Sequence, residues 1–320
     1  MRSFVQVVRS GSISRAATRL NIAQPALSRQ IQKLEEEIGL SLVVRHGRGV
    51  TATAAGSVLL DRAEALLHQF DQVMHAVRHP DGGVTGHVVP GVPPAAGLLI
   101  APEAVKLFRQ RYPSASLQIR EGISSLLEEW LLDRRVDVAV LHNPPELDDI
   151  AMVPVLRERM VLAGPPSADP GAGLPIRLAE LGTVPLILPS LPHANRRLVE
   201  QAAAQHRIRL HLALDVDSVP LTKAMVKGGL GYTILTLAGV SRELAIGELT
   251  ARPIHRPPLH SSVAIGYQRS CRSGLVRGAA AMTREVIAEL VNSGAWPGAR
   301  LLDDMSHNPT PQPSLPRRKP

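Results

Sequence analysis

Apolar positions recur along this chain with two different periods, and the change from one to the other divides it. Up to about residue 80 the spacing is helical. Gly11-Ser-Ile-Ser14 supplies a turn and a hydroxyl cap, residues 15–20 read as a short helix whose small side chains admit a close neighbour, and Asn21-Ile-Ala-Gln24 breaks it. Pro25 suits the first turn of the next helix, along which Leu27, Ile31, Leu34 and Ile38 follow at intervals of four, three and four. That stripe predicts the buried side; the opposite arc holds Pro25, Arg29, Gln32, Lys33 and Glu36, with Ser28 on its flank. Residues 40–44 and 50–53 read as short strands around the basic turn Arg45-His-Gly-Arg-Gly49, a small wing. From residue 53 to 79, Leu59, Ala63, Leu66, Phe70, Val73 and Val77 repeat at four, three, four, three and four, a heptad seam. At ~1.5 Å per residue it predicts a helix about 40 Å long that pairs with a second copy.

Beyond His79-Pro-Asp-Gly-Gly83, a helix-stopping linker, the period changes. Strand patterns at 87–92, 117–120, 136–141, 160–163, 185–188, 210–216, 232–235 and 263–267 alternate with helical ones at 98–111 and 125–134. This predicts an α/β domain with a mostly parallel sheet and strands enough for two sheets. The segment 297–320 is rich in Pro and lacks apolar periodicity, so disorder is expected there. The expected division is therefore 1–52, a helical module with its wing; 53–80, the pairing helix; 81–296, the α/β domain; and 297–320, a tail.

Composition narrows the function. A chain of 320 residues exceeds what one core ordinarily serves. Aromatic residues are only 2%, which argues against readers that stack single-stranded bases on rings. The formal charge is +8, and residues 1–80 carry half of that excess, ten Lys and Arg against six Asp and Glu. The single cysteine, Cys271, can form no internal disulfide, and no Cys/His cluster exists to hold zinc, so a reducing, cytoplasmic location without metal or cofactor is expected. His75 and His79 stand four apart, but without an acidic or thiol companion they read as a solvated face. The N-terminal apolar run breaks too soon for a signal peptide, and no stretch approaches the ~18 apolar residues of a membrane span.

Two helices joined by a tight turn, the second opening on Gln24, Pro25, Ser28, Arg29, Gln32 and Lys33, match helix-turn-helix docking in a major groove. Gln can bond adenine and Arg guanine through two hydrogen bonds each; Ser28 and Lys33 suit phosphate, as do Arg45 and Arg48 on the wing. On pattern alone an ordinary helical hairpin with a solvated face fits equally well. Gly47-Arg-Gly-Val-Thr-Ala52 also satisfies a dinucleotide-binding pattern, but no βαβ unit surrounds it. For an enzyme, no nucleophile elbow, phosphate loop or HExxH occurs, and Asp148-Asp149 and Asp215/Asp217 read as solvated pairs.

Gly11-Ser-Ile-Ser-Arg-Ala-Ala17, Gln24-Pro-Ala-Leu-Ser-Arg-Gln-Ile31, Leu34-Glu-Glu-Glu37 and Arg48-Gly-Val-Thr-Ala-Thr-Ala-Ala-Gly56 together resemble the DNA-binding region of LysR-type transcriptional regulators. Ile22–Ser28 and Arg48–Thr51 are most similar to the nitrogen-assimilation-control type. Members usually carry several more residues before the position of Phe4, so the chain is expected to begin inside the first helix; Ile13 and Val43 stand where the family often has Phe. Phe108-Arg-Gln-Arg-Tyr-Pro113, Val136-Asp-Val-Ala-Val140 and Gly229-Leu-Gly-Tyr232 extend the resemblance into the second domain. The resemblance implies a winged helix-turn-helix, a linker helix that dimerises, and a two-lobed effector domain like a periplasmic binding protein, with lobe I near 86–158 plus 264–292 and lobe II near 159–263. It further implies double-stranded DNA and a second copy as partners, dimers that pair into tetramers, RNA polymerase as an admissible contact, and no membrane.

In that reading a small, anionic effector would meet strand-to-helix turns at Pro94 and Ala95, Ser124 and Ser125, His142, Ser190 and Thr236. Ser124 and Ser125 have a competing role as helix caps. Val92-Pro-Pro-Ala-Ala96 lacks the hydroxyl that many relatives place there, so a ligand-independent regulator or architectural protein with a vestigial cleft stays open.

Overall fold

The computed structural model describes residues 1–47, 49–78, 85–166 and 173–302; for residues 68, 69, 71–73 and 75–78 only the backbone is described. Arg48, and the side chains of Val73, Val77, His75 and His79, therefore lie outside the described residues.

The N-terminal module contains α1 (Arg2–Ser10), α2 (Ile13–Leu20), α3 (Gln24–Ile38), β1 (Val43–His46) and β2 (Gly49–Ala52), followed by α4 (Ala54–Arg78). The cap of α2 is Ser12, whose Oγ accepts from the Arg15 N–H at 3.4 Å. Phe4, Val7, Ala16, Leu27, Ile31 and Leu42 form a sealed core, joined by Ala63 of α4. The stripe along α3 fades: Leu27 and Ile31 are fully buried, but Ile38 is 41% exposed because the module ends before it. The strands β1 and β2 pair antiparallel, and the Gly56 backbone lies so close to Leu42 that a methyl there would stand 1.9 Å from the Leu42 carbonyl oxygen.

The second domain opens with β3 (Gly86–Val88), β4 (Pro90–Val92), α5 (Pro94–Arg111), β5 (Ala115–Leu117), β6 (Arg120–Glu121), α6 (Ser124–Leu132), β7 (Val138–His142) and β8 (Ile150–Gly164). It continues with β9 (Ile176–Arg177), β10 (Pro185–Leu188), α7 (Ala194–Gln205), β11 (His211–Asp215), α8 (Val219–Lys227), β12 (Thr233–Thr236), α9 (Leu237–Ala245), β13 (Thr250–His255), β14 (His260–Gln268), α10 (Gly274–Asn292) and β15 (Ala299–Leu301).

Three findings differ from the pattern reading. The sheet is mixed rather than mostly parallel: β4 lies parallel to β6 and β7, whereas β14 runs antiparallel to both β7 and β8. The strand expected at 160–163 is the end of a fifteen-residue strand, β8, whose first part pairs with β14 and whose last part pairs with β12 and β13. One strand thus belongs to both lobes, and β14 runs back beside it. The segment 299–301, expected to be disordered, is strand β15 on the edge of β8, anchored by the buried Trp296; residues 303–320 lie outside the described residues.

Alternation along strands builds a core on each face of each sheet. Val138 and Val140 point into one cluster with Phe108 and α10, Ala139 and Leu141 into another with Leu127 and Leu131. In the other lobe Met160 and Leu162 pack with Leu186 and Leu188, while Val161 and Ala163 pack with Ile187 and Val226.

Candidate nucleic-acid interface and ligand cleft

The helix α3 begins after Ala23, which offers no side-chain cap, so its first turn leaves N–H groups directed outward beside Pro25. Gln24, Pro25, Arg29, Gln32 and Lys33 are exposed, and Ser28 is half-buried. Leu27 and Ile31 are fully buried, which fixes the rotation of the helix and hence the outward direction of those polar groups. Lys33 lies 3.9 Å from Glu37, whereas Arg29 has no carboxylate partner among the described residues. Arg45 is exposed on β1, registered with Val50 and one residue pair before the turn of the hairpin.

The linker seam divides. Ala63 is fully buried in the core of its own head and so does not face a second copy, while Leu59, half-buried, packs against the same core. The head takes them because α1 crosses α4. Leu66 and Phe70 are each 54% exposed; the side chains of Val73 and Val77 are outside the described residues.

The other site lies between the lobes. A cavity is lined by Pro94, Ala95, Ser124, His142, His193 and Thr236, among others. It adjoins a smaller one at Glu158 and Trp296. Five of its walls are strand-to-helix turns, since α5, α6, α7, α8 and α9 all start here. Ser124 does not cap α6; its Oγ accepts the His142 N–H of the neighbouring strand at 2.9 Å, which leaves its own proton to donate. The Thr236 Oγ1 caps α9 by accepting from Gly239 at 3.1 Å. Ser190 is turned away, its N–H and hydroxyl bonded to Asp217 at 2.8 and 3.3 Å, and these bonds hold Asp217 below the usual carboxylate range. Ser125 does not line the cavity.

Pattern reading missed His193, Asn195 and Glu158. Nothing local marks them: His193 is the cap of α7, accepting from Asn195 N–H at 3.2 Å, and its position in the cleft is set by the distant lobe opposite. Burial, the adjacent His142 and Arg197 hold His193 below its ordinary range, with Asp217 opposing. Glu158 is 1% exposed; its Oε2 accepts from Trp296 Nε1 at 3.0 Å. Its Oε1 lies 3.1 Å from His142 Nδ1 without the alignment of a hydrogen bond. Among the described residues the cleft therefore offers two hydroxyls, two imidazoles and helix starts against a single sequestered carboxylate, a setting that suits a small polar ligand.

A winged helix-turn-helix head with an exposed polar recognition helix, carried on a long helix ahead of two lobes around a cleft, defines a class: DNA-binding transcriptional regulators with an appended ligand-binding domain. Residues 1–57 match the model of the bacterial regulatory helix-turn-helix protein, lysR family, and residues 81–288 that of the LysR substrate binding domain. The chain belongs to the LysR family of transcriptional regulators.

It is 33% identical to the HTH-type transcriptional regulator BbuR of Bordetella bronchiseptica over 92% of this chain and 91% of that one. It is 30% identical to the nitrogen assimilation regulatory protein nac of Escherichia coli over 73% of this chain and 76% of that one. Among solved structures, CbnR, a LysR family transcriptional regulator, superposes with a TM-score of 0.69 at 20% identity, covering 89% of this chain and 97% of the other. Full-length BenM superposes with a TM-score of 0.57 at 26% identity, covering 90% and 95%.

Proposed function

We propose that this regulator binds an interrupted inverted repeat in duplex DNA as a dimer or a tetramer, and that a small anionic metabolite in the cleft sets its output. Gln24, Pro25, Ser28, Arg29, Gln32 and Lys33 enter the major groove, while Arg45 and Arg48 hold the backbone beside it. The observation that carries this is the rotation of α3: Leu27 and Ile31, fully buried, turn every one of its long polar side chains near the N-terminus outward. A two-fold pair of heads demands a two-fold related site. The heads are held apart by α4, with Leu66 and Phe70 in the contact between copies. On this reading the protein works in the cytoplasm, is not an enzyme, and meets RNA polymerase at the promoter.

Gel-shift assays at low salt, with fragments upstream of its own and the neighbouring gene, test the first part. Retarded complexes competed away by the same fragment but not by unrelated DNA are expected; failure to retard any fragment overturns it.

One observation favours a second reading, a regulator that needs no effector. The first turn of α5 presents Pro93, Pro94 and Ala95 to the cavity, two residues without an N–H and three without a hydroxyl, so this helix start offers an anion less than its neighbours do. Thermal shift against a panel of carboxylic, phosphorylated and amino acids separates the two. A ligand that raises the melting temperature supports the effector reading; silence across the panel supports the second.

A further inference from the structure

We propose that the reverse face of the hinge is a second ligand site, separate from the cleft at His142, and that it takes a small, multiply charged oxyanion. Successive residues of a strand point to opposite faces. Glu158 of β8 and Ser261 of β14 are in register and turn toward His142 on the cleft side. Their neighbours turn the other way: Arg159 is registered with His260, and Arg157 with Ser262 on one side and with Arg300 of β15 on the other. Three guanidinium groups and an imidazole thus share one face of a three-stranded ladder.

Like charges directly opposite on antiparallel strands are destabilising, and here no carboxylate among the described residues offsets them. Among the described residues, Arg157, Arg159 and Arg300 have no carboxylate partner, whereas Arg111, Arg120, Arg135 and Arg196 each face one. Burial and the charges of Arg159, Arg157 and Arg300 together hold His260 below its ordinary range, in keeping with a positive local field.

Arg157 and His260, with Arg159 and Arg300 next to them in the register, border a depression of about 400 Å³ whose walls come from both lobes: Asn143 and Arg157 on one side, Gln201, Gln205, His206 and His260 on the other. Among the described residues no carboxylate lines it. The volume lies in the ~300–1,000 Å³ range of small-molecule sites. Guanidinium forks match planar carboxylate and tetrahedral phosphate oxygens through paired hydrogen bonds, and the two glutamines add neutral donors. Opposing this charge is the C-terminus of α7, worth roughly half a negative charge, against the full charge of Arg157 and those of its register neighbours Arg159 and Arg300. A monoanion would leave most of that excess uncompensated, so a multiply charged ligand fits. Because its walls belong to both lobes, an occupant also biases their separation, and by linkage the affinity of the cleft.

The test is calorimetric titration of the full-length protein with pyrophosphate and, separately, citrate, at constant ionic strength. Saturable binding of either is expected; which one binds tells phosphate from carboxylate chemistry. Affinity should fall at least tenfold in the double variant Arg157→Gln/Arg300→Gln, and stay within twofold in Arg29→Gln and His142→Asn, whose changes lie at the DNA face and the cleft. Removing repulsion should leave the ligand-free melting temperature of the double variant equal to or above that of the parent, which shows that it folds. Binding that survives the hinge substitutions, or that disappears with Arg29→Gln or His142→Asn, overturns the proposal. So does the absence of binding by both anions, including the case where the hinge variant instead weakens DNA retardation, which would mark the face as a nucleic-acid contact.

Discussion

Arg29 stands alone on the exposed arc of α3 without a carboxylate partner among the described residues, and its guanidinium is free to meet a base edge. Arg29→Ala should cost ~1 to 3 kcal/mol of DNA binding and relax preference at one base position; an equal loss on all sequences would mark a phosphate contact instead. Its type and face were legible in the sequence, because helical period alone decides which side Leu27 and Ile31 leave open. Gly56 was legible only as part of a motif. A methyl at that position would stand 1.9 Å from a backbone oxygen that cannot move aside, so Gly56→Ala should lower stability by about 1 to 3 kcal/mol or more, read by urea unfolding. His193 was not legible at all. Its folded pKa is depressed below the ~6.5 of an unfolded histidine, so the unfolded chain binds more protons as the pH falls. Its contribution is complete above pH ~6.5 and is lost as the pH drops toward the folded value. His260 adds to the same slope, and His193→Gln should flatten part of it in melting curves taken from pH 8 downward. An anion in the cleft favours protonated His193, so a cleft ligand should bind more tightly as the pH falls through the same window.

At the scale of elements, α4 does two tasks that its heptad pattern merges into one. Its first turns complete the core of the head through Leu59 and Ala63, and only further along do Leu66 and Phe70 reach the surface. The apolar spacing is the same in both halves, so sequence cannot say where one task gives way to the other; the crossing of α1 decides it. Leu66→Glu/Phe70→Glu should shift the protein toward lower mass in sedimentation equilibrium while its helical circular dichroism persists; unchanged mass would place the contact between copies elsewhere. The same helix ties the head to lobe I. Glu64, only 8% exposed at its side chain, accepts from Arg9 of α1 at 2.8 Å and faces Arg135 at 3.4 Å and Arg120 at 3.7 Å. Arg62 pairs with Asp133, and Asp61 lies 3.1 Å from Arg135. Arg120 and Arg135 also stand over the ring of Trp130, at 5.8 and 5.3 Å from its centroid. Removing the central carboxylate would leave three cations facing one another, two of them mostly buried. Glu64→Gln should therefore cost about 2 to 4 kcal/mol. It should also loosen the head from lobe I, read as faster amide exchange along α1; exchange unchanged from the parent would deny that this cluster joins the two.

For the whole molecule, periodicity and charge in the sequence were enough to divide the chain into a basic helical head, a long helix and an α/β body, because burial period and net charge are local sums. The α3 face follows from the same rule, since a single buried stripe leaves only one outward direction. What the sequence could not determine was anything made by two distant segments. The strand β8 reads as a short apolar run at 160–163, since Arg157 and Arg159 break its pattern where it crosses the hinge between two lobes. The cleft brings His142 and Glu158 from one part of the chain to His193 and Thr236 from another, and the reverse face brings Arg157 against Arg300, more than a hundred residues apart. Local propensity sets the elements and their faces; register between strands remote in sequence sets which charges meet, and that energy exists only once the lobes have folded around β8 and β14.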